Sequence, residues 1–246
     1  MAETPAADPS ASASLEYCPE AASVTTSTAV TAERAYYHCG NFFIKRGLRP
    51  SEYITTLRGT KHIPKLGKER LQNEAAVLRF IRRVSNIPVP TLYGAFDVDG
   101  SFTIITEYID GVCMSELSED QKHTVRTEVE QHLATLRGIK SNYLGGPSGI
   151  VIPPYRVMSI SDRNEWPQKV SKTTSGGYVF CHNDLSQHNI IVDSQTLKIR
   201  AIIDWEYAGF FPEKFEMPLY NRRGPSVALE GEYDDSAELV RFMEDP

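Results

Sequence analysis

The chain has 246 residues, 41% hydrophobic and 24% charged, which is enough for one large domain or for two lobes that share a cleft. Its 26 Lys and Arg residues are outnumbered by 32 Asp and Glu residues, so the formal net charge is -6. Proteins that bind the nucleic-acid backbone need a basic surface, so this balance argues against nucleic acid as a partner. No run of 18 apolar residues is present, so the sequence predicts no membrane partner, and we expect the protein in the cytosol.

Four cysteines are widely separated in the sequence and form no C-x-x-C pair. Their spacing favours neither a zinc ribbon nor a disulfide framework, so we expect buried free thiols. The four are Cys18, Cys39, Cys113 and Cys181.

The first segments in chain order are a tail and a strand. Residues 1–14 consist mostly of Ala, Ser and Pro and cannot bury enough apolar surface to offset the entropy of ordering, so we expect a disordered tail. The aromatic and β-branched run that starts at Asn41 is typical of a buried strand, and we expect Lys45 at its end.

A helix, a strand and a second helix are expected next. Over residues 68–84, apolar residues recur at spacings of three and four, and Glu74 lies on the same side as these residues. Residues 102–109 then form a strand-like run at the edge between two lobes. Ser118 and Gln121 form a capping box, so a second helix should begin there.

Three residues that could bind a metal ion or a proton lie in the most informative part of the chain. Asp184, Asn189 and Asp204 are flanked by apolar, strand-like residues that would hold them rigidly. Phosphoryl transfer needs a carboxylate near the attacking hydroxyl, hard oxygen ligands for Mg²⁺ and a cation on the nucleotide phosphates. Asp184 can supply the first, and Asn189 and Asp204 the second. Lys45 can supply the third.

The spacing of these residues resembles that of a known family. His182 to Asn189 follow the pattern H-x-D-x-x-x-x-N, and residues 203–205 follow as I-D-W. Over about residues 35–225, the chain resembles the aminoglycoside phosphotransferases, the choline kinases and their fungal relatives. The resemblance implies an α+β, two-lobed protein-kinase-like fold. Its first lobe would hold a small antiparallel β-sheet and one main helix, and its second lobe would be mostly helical.

The resemblance also implies a function, the transfer of the γ-phosphate of ATP to a hydroxyl of a small molecule, with ATP and Mg²⁺ as cofactors. Asp184 would be the catalytic residue, and Asn189 and Asp204 would be the metal ligands. Lys45 would bind the nucleotide phosphates. Glu74 would be the partner of Lys45 from the helix, because a buried carboxylate without a cation is costly.

The same resemblance places the adenine at the hinge between the lobes. Glu107, Tyr108 and Ile109 would form this hinge. The N-terminal nucleotide-binding lobe would then cover residues 15–108, and the C-terminal catalytic and acceptor-binding lobe residues 109–246.

Two features depart from the kinase pattern. No G-x-G-x-x-G precedes Lys45, so Ser23–Thr28 could either cover the phosphates or belong to the tail. After Asp204 only short stretches remain for the acceptor-binding helices, and no Ser or Thr occurs before Ser226. The chain therefore offers no ordinary activation loop, which favours a small-molecule acceptor over a protein.

Two other functions remain open from the sequence. His182, Asp184 and His188 could bind a transition metal for hydrolysis, since residues two apart share a face on extended backbone. A catalytically silent pseudokinase that binds a nucleotide or a protein partner is the second alternative, because the glycine-rich loop is missing.

The charge of the last segment bears on the acceptor. Residues 204–246 contain 11 acidic and four basic residues. If Glu206, Glu213 and Glu216 lined the cleft, they would concentrate a cationic acceptor by electrostatic focusing. The alternative is that residues 230–245 form a solvated polar tail with no role in binding.

Overall fold

The computed structural model describes residues 26–171 and 177–244. Within them, five antiparallel strands form a sheet in the order β1-β2-β3-β5-β4. The predicted tail over residues 1–14 lies outside the described residues, and the lobe boundaries stay a prediction. The strands are β1 (Thr26–Val30), β2 (Arg34–Cys39), β3 (Phe42–Gly47), β4 (Leu92–Val98) and β5 (Ser101–Glu107).

Strand β3 carries Lys45 in its interior rather than at its end. Lys45 lies opposite Tyr36 of β2 and Ile104 of β5, so it is fixed by backbone pairing on both sides. The strand continues to Gly47, which pairs with Arg34 of β2, and the buried Arg46 is neutralised by Glu52. The sequence pattern missed this because the neutralising partner lies beyond the strand.

The predicted helix over residues 68–84 is confirmed as α1 (Gly67–Val84). Leu71 and Ala75 pack with Ile104 of the sheet in one small core. Leu78 and Ile81 belong to a second, larger core that includes residues of the C-terminal part. Helix α1 therefore contacts both halves of the molecule.

The C-terminal part combines helices with two small sheets. Their strand orders are β10-β9-β6 and β11-β8-β7. The helices are α2 (Glu119–Gly138), α3 (Tyr155–Met158) and α4 (Ser236–Glu244). The strands are β6 (Val112–Cys113), β7 (Lys140–Ser141), β8 (Tyr178–Cys181), β9 (Ile190–Val192), β10 (Ile199–Ile202) and β11 (Gly209–Phe211).

Helix α2 begins with the predicted capping box. The Ser118 hydroxyl accepts a hydrogen bond from the Gln121 backbone N–H, and the Gln121 side chain accepts one from the Ser118 N–H. Val125 and Val129 are fully buried on its inner face, as the spacing predicted. The helix thereby supports strand β8, which leads into the H-x-D-x-x-x-x-N segment.

The larger core lies beneath the H-x-D-x-x-x-x-N segment. Phe180 at the end of β8, Ile190 at the start of β9 and Ile202 at the end of β10 are all buried in it. The loop over residues 182–189 thus connects two buried strands, and residues 203–205 follow directly on a third.

Three cysteines lie among the described residues, and all are free thiols. Cys181 is buried as predicted, whereas Cys39 and Cys113 are half-buried, so the prediction was wrong for these two. Both lie on strands that are partly open to solvent. Separately, none of the helices in residues 26–171 and 177–244 is long and apolar enough to span a membrane.

Candidate active site

His182 supports the loop from below and does not reach the surface. Its Nδ1 accepts a hydrogen bond from the Asp184 backbone N–H, and its Nε2 lies 3.1 Å from the Ile203 carbonyl oxygen. Its ring packs against Trp205 at 4.4 Å between centroids. Burial lowers the pKa of His182 to about 4, so the ring is neutral. These contacts give His182 a structural role in holding the loop.

Glu216 is a second support of this loop that sequence reasoning did not identify. Its Oε2 accepts hydrogen bonds from the backbone N–H groups of His182 and Asn183. Asn183 has a left-handed backbone (φ 66°) and donates its side-chain amide to the Tyr207 carbonyl. Burial raises the pKa of Glu216 to about 7 against these two donors. No local spacing links Glu216 to the loop.

Asp184 and Asn189 meet within the loop. The Asn189 amide nitrogen donates to the Asp184 carbonyl oxygen at 2.7 Å and to its Oδ2 at 3.2 Å. Ser226 donates a hydrogen bond from its hydroxyl to Asp184 Oδ1. Burial, and secondly the nearby charge of Asp204, raise the pKa of Asp184 to about 7. A carboxyl with such a pKa is suited to exchanging a proton near neutral pH.

Lys45 lies between three carboxylates. Its Nζ lies 2.9 Å from Glu74, 2.6 Å from Asp204 and 3.4 Å from Glu206. The predicted salt bridge between Lys45 and Glu74 is thus confirmed. Burial on its own would lower the pKa of Lys45, but the charges of Asp204, Glu206 and Glu74 outweigh it and raise that pKa well above its usual value.

Glu206 is buried among cations of the protein and does not face an acceptor. We considered it as an acid facing a cationic acceptor, but it is buried and bound by Arg34 at 3.1 Å and Arg70 at 2.9 Å. Burial would raise its pKa, but Lys45, Arg70 and Arg34 together lower it. Its charge is therefore neutralised internally and is not available to an acceptor.

The other two acids that could have faced a cationic acceptor, Glu213 and Glu216, are also engaged within the protein. Glu213 pairs with Arg137 at 2.9 Å on the surface, and Glu216 holds the backbone of the loop. Further along, Arg156 binds Asp235 at 2.8 Å. The acidic excess that motivated a cationic acceptor is thus largely paired with the protein's own cations.

The oxygen atoms around Lys45 also bear on metal binding. One oxygen each of Glu74, Asp204 and Glu206 lie within 4.8 Å of one another, but the Lys45 ammonium is bound among them. A metal ion in that cluster would compete with this lysine. Asp204 is 31% exposed, and the amide nitrogen of Asn189 is engaged by Asp184, which leaves Asn189 Oδ1 free to coordinate. Both are hard oxygen ligands, so they fit Mg²⁺.

A cavity of about 280 Å³ lies between the five-stranded sheet and the C-terminal part. Its deep end holds Lys45, Glu74 and Asp204, and its walls are mostly apolar. The wall residues include Tyr36, Phe43, Leu78, Pro90, Ile104, Ile191 and Ile203. A flat heterocycle with a phosphate chain directed at Lys45 matches this arrangement.

The predicted hinge residues line the rim of the same cavity. Glu107, Tyr108 and Ile109 all contribute to it. The Glu107 carboxylate accepts hydrogen bonds from the backbone and hydroxyl of Thr91, and these bonds lower its pKa. The Tyr108 N–H is bound by the Asn41 carbonyl. The Glu107 carboxylate and the Tyr108 N–H are thus both engaged within the protein.

The turn above Asp184 connects β1 and β2. It spans residues 31–33, in which Thr31 Oγ1 accepts hydrogen bonds from the N–H groups of Glu33 and Arg34. Thr31 and Glu33 line a cleft together with Asp184. Of the earlier candidate Ser23–Thr28, residues 23–25 lie outside the described residues and 26–28 belong to β1. The turn at residues 31–33 is a better candidate for covering the phosphates.

The hydrolase alternative lacks the required geometry. Both ring nitrogens of His182 face backbone groups of the protein. His188 is exposed, and its Nδ1 lies 3.2 Å from the Ser115 hydroxyl. His182, His188 and Asp184 are therefore not arranged as the ligands of one metal ion.

Part of the chain matches a known protein family, and its fold matches solved structures. Residues 103–220 match the family model described as choline/ethanolamine kinase. No curated protein sequence matches the chain. Aminoglycoside phosphotransferase APH(4)-Ia is 14% identical in sequence, and its structure has a TM-score of 0.51 over 78% of this chain and 69% of that one.

Two further structures match to a similar extent. The GDP and kanamycin complex of APH(2")-IIia is 10% identical, with a TM-score of 0.53 over 78% of this chain and 70% of that one. A thermostable mutant of APH(4)-Ia in a ternary complex with ADP and hygromycin B is 14% identical, with a TM-score of 0.51 and the same coverage. These matches confirm the predicted fold and the resemblance to this group of kinases. The likeness to fungal relatives stays a prediction.

Proposed function

We propose that this chain, which is like the aminoglycoside phosphotransferases and choline kinases in its fold and in its matched segment, is an ATP- and Mg²⁺-dependent phosphotransferase. Its acceptor is a hydroxyl of a small molecule. One observation carries the proposal. Lys45 binds Glu74 and Asp204 in the lining of a mostly apolar cavity, and the charge of Asp204 acts on the half-buried carboxyl of Asp184.

The nucleotide would lie in this cavity with its base at the rim. The apolar walls suit a purine, and residues 107–109 line the rim that its edge would face. The phosphates would extend toward Lys45, whose charge is secured by the surrounding carboxylates. Glu74 orients the lysine, because its 2.9 Å contact is buried and comes from the rigid helix α1.

Asp204 and the Oδ1 of Asn189 would hold Mg²⁺. When bound, the ion neutralises the negative charge of the phosphate oxygens and of the transition state. Asp204 can serve because only its Oδ1 contacts Lys45. Asn189 can serve because its backbone lies in a turn anchored by the Ser186 carbonyl.

Asp184 would accept or orient the proton of the acceptor hydroxyl. The Asn189 amide fixes its orientation by bonding to its Oδ2. Because the charge of Asp204 acts on Asp184, a hydroxyl bound to Asp184 would lie near the metal ligand and the end of the nucleotide phosphates. The residues on the loop thus supply positioning and electrostatics, which is most of what phosphoryl transfer requires.

The class of acceptor is proposed from the structural neighbours. The matched neighbours are recorded in complex with kanamycin and hygromycin B. By that likeness we propose a polyhydroxylated or amino-alcohol acceptor, and we keep the cytosolic location as a prediction.

A catalytically silent pseudokinase is the second candidate. The turn at residues 31–33 contains no glycine, and Ser226 is bonded to the carboxyl that an acceptor would need. Such a protein would bind a nucleotide without transferring phosphate. Retention of Asp184, Asn189, Asp204 and Lys45 in one cleft favours the enzyme.

The test is incubation of the full chain with Mg-ATP and a library of small hydroxylated molecules. We expect ADP release and a product heavier by one phosphoryl group, both abolished by chelation of Mg²⁺ and by Asp204→Asn. Nucleotide binding without any product across the library would favour the pseudokinase. Absence of Mg²⁺-dependent nucleotide binding would overturn the proposal.

A further inference from the structure

Ser226 occupies the place that an acceptor hydroxyl needs. Its Oγ donates a hydrogen bond to Oδ1 of Asp184, the residue that we propose as the proton acceptor. It comes from a loop 42 residues further along the chain and is half-buried in the cleft that also holds Thr31 and Glu33. A serine hydroxyl bonded to a catalytic carboxyl is chemically equivalent to a bound alcohol substrate.

The loop presents this hydroxyl in a fixed way. Arg222 donates to the Pro225 carbonyl at 3.0 Å and to the Val227 carbonyl at 2.7 Å, so one guanidinium holds the backbone on both sides of Ser226. Arg222 is in turn paired with Glu232. The contact between Ser226 and Asp184 is therefore supported by its own set of interactions and does not depend on a freely moving chain.

We infer that Ser226 is an intramolecular phosphoacceptor, so the protein transfers phosphate from ATP to its own chain when no small acceptor is bound. The inference rests on the proposed function. The Ser226 oxygen attacks the γ-phosphorus, the bond between that phosphorus and the β,γ-bridging oxygen breaks, and ADP leaves. The hydroxyl proton passes to Asp184. The products are phosphoserine and ADP, and no further reactant is needed.

The modified residue could not keep its present contact. A phosphoserine carries about -1.5 to -2 charges at neutral pH, and Asp184 lies next to Asp204 and Glu206, whose charges act on it. Repulsion would move the loop out of the cleft. The exposed Arg223 beside the loop offers a cation for the phosphate.

The experiment uses the full chain, first treated with a phosphatase and freed of it. The protein is incubated with Mg-ATP alone, and the sites of phosphate are mapped by mass spectrometry. We expect phosphate on Ser226, with a rate per molecule that does not change over a tenfold range of protein concentration. The Ser226→Ala variant should lose this phosphate, and Ser194→Ala, a change of an exposed serine in a surface turn, should keep it.

Two further results separate this inference from the proposed function. If the chain phosphorylates a small hydroxylated molecule but Ser226 stays unmodified with and without that molecule, the inference is wrong and the proposed function stands. If the chain binds no Mg-ATP, both are wrong. Phosphate on Ser226 that persists in Asp184→Asn at an unchanged rate, or whose rate rises with protein concentration, would also overturn the intramolecular step.

Discussion

Lys45 Nζ lies 2.6 Å from Oδ1 of Asp204, so the cation assigned to the nucleotide phosphates contacts the carboxylate assigned to the metal. The two assignments are compatible only if a nucleotide draws the lysine partly toward its phosphates. When the nucleotide phosphates bind Lys45, the Asp204 carboxylate loses its partner and can bind Mg²⁺. Binding of the nucleotide and binding of Mg²⁺ should therefore favour each other.

Lys45→Met tests the nucleotide role. The substitution keeps the length of the side chain but leaves Glu74, Asp204 and Glu206 without the ammonium between them. We expect at least a tenfold loss of Mg-ATP affinity in calorimetric titration, together with reduced turnover. The control is Lys140→Met, which changes an exposed lysine. Equal Mg-ATP affinity of the two variants would contradict the role of Lys45.

Asp204→Asn and Asp204→Ala should separate metal binding from folding. Asp204 has a left-handed backbone (φ 61°), which Asn tolerates better than Ala. Both variants should lose turnover, because the carboxylate charge is gone. Only Asp204→Ala should lower the melting temperature clearly, by an amount equivalent to about 1 kcal/mol. Measurable turnover that still depends on Mg²⁺ in Asp204→Asn would exclude Asp204 as the essential metal ligand.

Asp184→Asn should slow the chemical step. The amide can still bond to Ser226 and Asn189 but cannot take a proton. General-base assistance contributes typically about 10²- to 10⁴-fold, so we expect a loss of kcat in that range with unchanged nucleotide affinity. A raised KM for ATP with full kcat would instead make Asp184 a binding residue. Steady-state kinetics with a fixed acceptor distinguishes the two outcomes.

Glu216→Gln should change how stability depends on pH. Because the folded-state pKa of Glu216 is raised to about 7 by burial, the folded protein holds a proton here that the unfolded chain has already lost. Glu216 therefore contributes stability that is fully present below about pH 4.5 and declines as pH rises to about 7. Melting curves between pH 5 and 7.5 should show a smaller decline for Glu216→Gln than for the parent protein. Parallel curves would contradict the raised pKa.

The glutamine in that variant can still accept from the N–H groups of His182 and Asn183. Its matched control is Glu213→Gln, which removes an exposed carboxylate three residues away. The control removes only an exposed ion pair with Arg137, which contributes little to stability, so its melting curves should run parallel to those of the parent protein.

The site could be predicted from the sequence where its residues follow one another closely. The spacing within the eight-residue segment from His182 to Asn189 and within I-D-W indicated which residues meet, because apolar strands precede both segments. The periodicity of α1 likewise placed Glu74 on the buried face. Its contact with Lys45 follows from the cost of burying a charge without a partner.

The rest of the site depends on contacts between distant residues. Arg34 and Arg70 reach Glu206 across 172 and 136 positions of sequence, and Ser226 reaches Asp184 across 42. No local sequence pattern predicts such pairs. The acidic excess after residue 204 was misleading for the same reason, since counting charges takes no account of the cations that the fold brings to them.

Helix α1 has a consequence for recombination between related genes. Asn73 donates to the carbonyls of Glu206 and Ala208, and Arg70 binds Glu206, so helix α1 is bonded to the turn that follows Asp204. Its inner face also shares a core with Phe180. In a chimeric gene with its crossover near residue 108, helix α1 would come from one parent and the turn after Asp204 from the other. Chimeras should therefore fold only when the residues on both sides of this contact descend from the same parent.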